Sequence, residues 1–330
     1  MTRQKSIIAV VLVLLAIPAM MTGYAAQQQA DQTAPPQNSP QPTAPPQTLK
    51  VDVDLVQVNV TVTDPQNRYV TGLDKEHFQI WEDKVEQTIE YFSAEDAALS
   101  LGIIFDVSGS MKDKISEARD AAATFLKTGS PDDEHFLISF SNRAELSEDF
   151  TSDPGKIQNR LIFAPAKGMT ALYDAVYMGL EKLKEGNNPK KALLLITDGE
   201  DNRSRYTFSN VREFVKEQDV QIYAIGIVSD FNSQLGSGRT GRALIDDLAE
   251  ITGGRAFFPD SVYELEDICM KIAVELKNQY VLGYKSTNEA KDGKWRKLSM
   301  KMNAPIGLPR LNIRGKSGYY AAVGDTTASK

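Results

Sequence analysis

From Ser100 onward the chain repeats one unit: a short, wholly apolar run between turn residues, then a stretch whose apolar side chains recur every three or four positions. The runs are Leu101–Phe105, Phe136–Phe140, Ala192–Thr197, Ile222–Val228 and Ala256–Phe258. A strand that is apolar on both faces has to be covered on both, the condition of a parallel sheet between two helix layers. The covering helices read as stripes: Ile115, Ala118, Ala122, Phe125 and Leu126; Leu172, Val176, Leu180 and Leu183; Phe214 and Val215; Leu244, Leu248 and Ile251; Leu265, Ile268, Ile272 and Leu276. This alternation predicts an α/β fold, doubly wound around a mainly parallel sheet. Cys269, the single cysteine, falls on the last stripe and reads as a small core residue.

Segments on either side follow a period of two. Residues 49–95 alternate Val51, Val53 and Leu55 with Asp52 and Asp54. The phase then shifts by one to Val56, Val58, Val60 and Val62, which calls for a bulge or bend near Leu55–Val56. Phe78–Trp81 and Val85–Phe92 read as two further strands. Residues 279–321 carry Gln279–Tyr284, Lys294–Met302 and Arg310–Tyr320. Neither segment has enough strands to be stable alone. The expectation is that they pair into one smaller β-sandwich-like domain from which the α/β domain emerges as an insertion.

The first 25 residues place Arg3 and Lys5 before an apolar run, Ile7 to Met21, and then Gly23-Tyr24-Ala25-Ala26. That is the pattern of a signal peptide cut after Ala25, and the run is shorter than the roughly 20 residues that span a membrane. Export to a secreted, periplasmic or cell-surface location follows, with no integral membrane domain after cleavage; an uncleaved anchor is the alternative. Residues 26–48 are Gln, Pro, Ala and Thr with little to bury, a disordered linker.

Charge and composition then narrow the chemistry. Lys and Arg number 37 against 44 Asp and Glu, a formal charge of −7, which argues against nucleic acid as a partner. Lys285 to Lys316 is a basic exception, with Glu289 and Asp292 its only acids, and reads as a solvated sheet face. One cysteine and two histidines, His77 and His135, exclude thiolate or multi-imidazole metal sites, so any ion has to be held by oxygen.

Suitable oxygens lie at the ends of the buried runs, where ligands bind in parallel α/β sheets. Phe105-Asp106-Val107-Ser108-Gly109-Ser110-Met111 closes the first run with one carboxylate and two hydroxyls at alternate positions, followed by a helix expected from about Met111. Lys167-Gly168-Met169-Thr170 leads into the helix at Leu172 with another hydroxyl. Leu195-Ile196-Thr197-Asp198-Gly199 ends a third run with a second carboxylate. Carboxylate and hydroxyl ligands with water suit a hard cation, Mg2+ better than Ca2+. The following Glu200, Asp201 and Asn202 are candidates to support the ion's ligands from outside, with a solvated loop the simpler reading.

Asp-x-Ser-Gly-Ser, a distant Gly-x-Thr and a Thr-Asp-Gly after an apolar strand resemble the metal-ion-dependent adhesion site of von Willebrand factor type A domains, over roughly residues 98–277. Val-rich strands before the domain and Tyr280-Val281-Leu282-Gly283-Tyr284 after it resemble the exported bacterial branch of that family. The resemblance implies that Asp106, Ser108, Ser110, Thr170 and Asp198 hold Mg2+, with Mn2+ or Ca2+ as alternatives. The two serines would ligate directly, Thr170 directly in at least one state, and the two carboxylates largely through water. It implies in turn a protein-binding, adhesion-type module that takes an Asp or Glu of a protein partner on the ion. The alternatives are an exported structural protein whose ion only staples loops and, least supported, a Mg2+-dependent hydrolase.

An enzyme is not expected. A haloacid-dehalogenase-type phosphatase needs a second Asp at the position of Ser108, and neither serine sits in a Gly-x-Ser-x-Gly elbow with a histidine in reach. Gly236-Ser237-Gly238-Arg239-Thr240-Gly241 spells a dinucleotide fingerprint but follows its strand only after a long polar stretch, and reads as a loop. The sequence does not specify an oligomeric state.

Overall fold

A computed structural model describes the chain from Leu55 to Val323, apart from positions 95, 199–200, 228–236 and 306. The expected signal peptide (1–25) and linker (26–48) lie outside the described residues, as do Gly199 and Glu200. At Leu55–Val56, where a bulge or bend is expected, the strand Leu55–Thr63 pairs with its neighbour Tyr280–Lys285 in continuous register.

The chain enters through β1 (Leu55–Thr63), whose alternate residues Val58, Val60 and Val62 are fully buried. β2 (Phe78–Glu82) follows. The single strand expected over Val85–Phe92 is instead two, β3 (Val85–Gln87) and β4 (Ile89–Ser93), and they belong to different sheets. The break falls at Thr88, where the chain turns a corner from one layer to the other while Gln87 and Ile89 both stay buried. Alternation alone carries no mark of such a corner.

β5 (Leu99–Asp106) then opens the α/β body, with every residue buried. α1 (Ile115–Lys127) is separated from β5 by a 3-10 turn at Gly109–Met111, so the helix starts one turn later than the expected Met111. β6 (Glu134–Phe140) is followed by two elements not expected from the sequence: β7 (Ala144–Thr151), antiparallel to β6 at the sheet edge, and α2 (Pro154–Phe163), which buries Ile157 and Leu161. α3 (Leu172–Leu183), β8 (Lys190–Thr197), α4 (Phe208–Lys216) and β9 (Gln221–Gly226) continue the winding. α5 (Ser237–Ile251), β10 (Arg255–Phe257) and α6 (Leu265–Lys277) complete it. Ser237–Gly241, expected in a loop, lie in the first turns of α5; a helix anchored by a packed stripe propagates through a glycine at a cost of only about 1 kcal/mol.

The six strands run β10-β9-β8-β5-β6-β7, with all pairings parallel except β6 with β7. Alternate residues of β5 point to opposite cores. Leu101, Ile103 and Phe105 pack with α1, α2 and α6, while Ile104 packs with α3, α4 and α5. Gly102 is required by close approach: a methyl group there would lie 2.3 Å from the Phe136 ring. The register sets Asp106 against Phe140, and Thr197 against Gly226, so the carboxyl ends of the central strands finish level at one edge.

After α6 the chain returns to β-structure as β11 (Tyr280–Lys285), β12 (Trp295–Met302), β13 (Asn312–Gly315) and β14 (Gly318–Tyr320). The run expected over Arg310–Tyr320 is thus also split between layers. One sheet has the order β13-β1-β11-β4 and the other β14-β12-β2-β3, and each joins strands from before the body to strands from after it. Val58, Val60, Phe78, Ile80, Tyr280 and Leu282 fill the core between the sheets. The architecture is therefore a doubly wound α/β body with a smaller antiparallel β-sandwich built from its two flanks.

A polar network joins body and sandwich. Glu275 of α6 has 1% of its surface exposed; it accepts hydrogen bonds from Tyr223 of β9 at 2.8 Å and from Thr61 of β1 at 3.2 Å. Tyr69 donates to it at 3.2 Å, and Arg314 of β13 forms an ion pair with it. Gly253 leaves α5 at φ +77°, and a methyl group there would lie 2.4 Å from the backbone of Gly315.

Candidate metal centre

The level carboxyl edge of the sheet places three loops side by side. Asp106 ends β5 completely buried. Its carboxylate accepts the Ser108 backbone N–H at 2.8 Å on one oxygen and the Thr197 hydroxyl at 2.6 Å on the other. Both bonds follow from strand register, because β5 and β8 end together. Burial pushes the Asp106 carboxyl up to about 6, against the lowering effect of the hydrogen bonds from Thr197 and Ser108; the nearby Asp198 carboxylate adds to the rise.

Beyond Asp106 the chain turns through Ser108, Gly109 and Ser110. The two serine oxygens lie 2.9 Å apart, and the Ser110 hydroxyl donates to Asp198 Oδ1 at 2.7 Å. Asp106, Ser108, Ser110 and Asp198 therefore form one continuous polar junction. Thr170 reaches it differently. Two backbone bonds join the first loop to the second: Gly109 N–H to the Gly168 carbonyl at 3.0 Å, and Lys167 N–H to the Val107 carbonyl at 2.8 Å. Gly109 serves close approach here, since an added methyl group would lie 3.3 Å from the Gly168 oxygen. Thr170 itself is buried, and among the described residues its hydroxyl makes no hydrogen bond to the other four.

Two further residues shape the junction: Lys114, which was not singled out from the sequence, and Asn202, which was. The Lys114 ammonium donates to Asp198 Oδ2 at 2.6 Å and to the Ile227 carbonyl at 3.3 Å, bridging the end of the 3-10 turn to β8 and β9. Asn202, expected in a solvated loop, clamps the Thr170 backbone: its side-chain oxygen accepts the Thr170 N–H at 2.8 Å and its own N–H donates to the Thr170 carbonyl at 3.0 Å. Asp201 accepts the Tyr173 N–H at 3.3 Å. This loop fastens the start of α3 and is not merely solvated. A local signal for Asn202 was its place four residues after Asp198; for Lys114, one of three charged residues in a row, there was none.

The donor set fits a small hard cation. Ligands on adjacent corners of an octahedron at about 2.05 Å are separated by about 2.9 Å, the spacing of the two serine oxygens. Among the described residues no three His, Cys, Asp or Glu side chains converge, so an ion at this junction depends on hydroxyl oxygens. The formal charge of Asp106, Asp198 and Lys114 together is −1. The helix contribution is smaller than a start at Met111 implies, because α1 begins at Ile115.

Both histidines are remote. His135 lies at the amino end of β6, opposite Leu101, about 16 Å down the sheet from the Asp106 level. His77 belongs to the sandwich. The Cys269 thiol is buried in α6, which pushes it up to about 12.

Comparison with known proteins bears on this geometry. Residues 101–200 match the family model of the von Willebrand factor type A domain. Inter alpha-trypsin inhibitor, heavy chain 4, of Mus musculus is 27% identical over 224 residues, which cover 60% of this chain but only 22% of that protein's length. Among solved structures, a von Willebrand factor type A protein from Catenulispora acidiphila is 11% identical, with 83% of this chain and 74% of that one covered and a TM-score of 0.46. The PilB minor pilin of Streptococcus sanguinis is 14% identical over 56% of this chain and 63% of its own, with a TM-score of 0.44. The matched residues run from β5 to the loop after β8 and carry all three loops of the junction; over this stretch the chain is similar to von Willebrand factor type A domains.

Proposed function

We propose that this chain is an exported protein-binding module. In this reading Ser108, Ser110 and Thr170 offer hydroxyl oxygens to a divalent cation, Mg2+ first, while Asp106 and Asp198 balance its charge through water. A divalent ion held by these residues would supply Lewis acidity toward a carboxylate oxygen from an Asp or Glu of a partner protein. The chain's own residues set the preference for an anion. Lys114 already offsets one of the two carboxylates, so a divalent ion leaves the junction with a formal charge of +1, favouring a negative ligand over water.

The observation that carries the reading is the convergence of the Ser108 and Ser110 hydroxyls with the Asp106 and Asp198 carboxylates, on loops joined by backbone bonds. The reading is of binding and not of catalysis, because neither histidine lies near the junction to serve as a base. Export rests on the Arg3–Ala26 pattern; among the described residues no helix is long and apolar enough to cross a membrane.

Calorimetric titration with Mg2+ tests the site. Binding by the parent chain, lost in Ser108→Ala/Ser110→Ala with an unchanged circular-dichroism spectrum, is the expected result. A second reading draws on the Lys114 bridge, which joins three segments without an ion: the junction would then be structural, and the titration would give no heat.

A further inference from the structure

Beside the junction, a groove of about 540 Å³ runs between the end of the β6–β7 hairpin and the segment that joins α2 to Thr170. Val107, from the first loop of the metal centre, forms part of its wall, and the Lys167 N–H to Val107 carbonyl bond ties the two sites together. The groove's charge runs against that of the molecule. Arg143, Arg160 and Lys167 line it with Glu145 as the sole lining acid, in a chain of net charge −7. Among the described residues Lys167 is exposed and has no ion-pair partner, whereas Arg160 is held by Glu148 at 2.8 Å and Arg143 by Glu145 at 2.5 Å, so Lys167 supplies the uncompensated charge of the groove. At the far wall Phe163 is 83% exposed, an aromatic face with nothing packed over it. β7 is also the edge of the six-stranded sheet, with β6 its one sheet neighbour among the described residues.

We infer that this groove is the second half of the partner site. It takes an extended acidic peptide segment whose metal-binding Asp or Glu enters the junction, while a further acidic side chain meets Lys167 and an apolar one covers Phe163. The inference rests on the carboxylate-binding reading above and names the class of partner. Charge complementarity selects an acidic ligand and steers its approach. The edge of β7 beside the charges favours a peptide over a sulfated polysaccharide, because only a peptide backbone can extend the hydrogen-bond ladder of a strand edge while an apolar side chain covers Phe163.

A randomised dodecapeptide library, selected on the full chain in Mg2+, tests this. The expected outcome is enrichment of sequences that combine several Asp or Glu with an aromatic or aliphatic residue. The selected peptides should bind about tenfold or more weakly to Lys167→Glu, and more weakly to Phe163→Ser, with the calorimetric Mg2+ titration unchanged in both variants. No enrichment, enrichment of neutral or basic peptides, or affinity indifferent to Lys167→Glu would overturn the inference. So would a heparin oligosaccharide that binds with the same sensitivity where no peptide does. The Ser108→Ala/Ser110→Ala variant separates the two claims. Peptide binding lost there but untouched by Lys167→Glu leaves the metal reading standing and removes the groove; the reverse pattern leaves the groove and removes the metal reading.

Discussion

Truncating Glu275 to Ala should cost about 3–5 kcal/mol, the range for removing one partner of a buried ion pair. The structure argues for the upper half of that range. The substitution leaves the Tyr223 hydroxyl, on a residue with no exposed surface, and the Thr61 hydroxyl, 2% exposed, without their acceptor, and strips Arg314 of its counter-ion. A buried hydroxyl left unpaired costs about 1–3 kcal/mol by itself. Burial and the Glu275 carboxylate hold the Tyr223 phenol well above its ordinary range, so it stays a donor at any working pH. Set against a typical total of about 5–15 kcal/mol, the loss is severe but measurable. The assay has two independent probes. Both tryptophans, Trp81 and Trp295, lie in the sandwich strands β2 and β12, whereas among the described residues every α-helix belongs to the body. Urea unfolding followed by tryptophan fluorescence therefore reports the sandwich, and far-ultraviolet circular dichroism mainly the body. The two transitions should coincide in the parent chain and both move to lower urea in Glu275→Ala. Replacing Glu275 and Arg314 together by leucine should recover part of the loss, because no charge is then stranded. A shift worth less than about 1 kcal/mol would show that water screens the network and refute the reasoning.

Lys114→Met should tighten Mg2+ by about tenfold, since a unit charge near a divalent ion opposes it by at least 1–2 kcal/mol even in a watery dielectric. Weaker binding in the calorimeter would instead make Lys114 the residue that orients Asp198. Asn202→Ala should weaken Mg2+ by about 10–100-fold by freeing the Thr170 backbone, as loss of an outer support does in metal sites; an unchanged isotherm would remove Thr170 from the ligand set. Lys190, buried at the start of β8, has its ammonium pushed down to about 8 by burial, from an ordinary 10.5. Between those values the unfolded chain holds more protons than the folded one, so this residue's contribution makes stability rise with pH by at most about 3 kcal/mol. Urea midpoints of the parent and Lys190→Met at pH 7.5 and 10 check the sign: the parent should gain on the variant at the higher pH.

The body's parallel strands were legible because burial on both faces removes every polar residue from a run such as Leu101–Phe105. β7 escaped for the opposite reason. Ala144–Thr151 is an edge strand with mostly polar, partly exposed residues, and its composition is that of a loop. α2 left a usable sign in Asp153-Pro154, a capping carboxylate followed by proline in the first turn. In the sandwich, alternation gave the strands but not the corners at Thr88 and at Lys316–Ser317, where the inward face simply passes to the other layer. Within the junction, the convergence of Asp106, Ser108, Ser110 and Asp198 was legible because each sits on a strand end whose level the fold class fixes. The contribution of Lys114 was not, since its partner is tertiary: Lys114 and Asp198 are 84 positions apart.

The way the body is inserted decides how the molecule bears load. The chain enters β1 at Leu55, paired with Lys285, whereas both connections to the body leave from the opposite end of that sheet, at Ser93 of β4 and Tyr280 of β11. Tension applied between Leu55 and the body therefore pulls β1 and β11 from opposite ends. The ladder between them is strained in shear, with its rungs sharing the force, and does not unzip rung by rung.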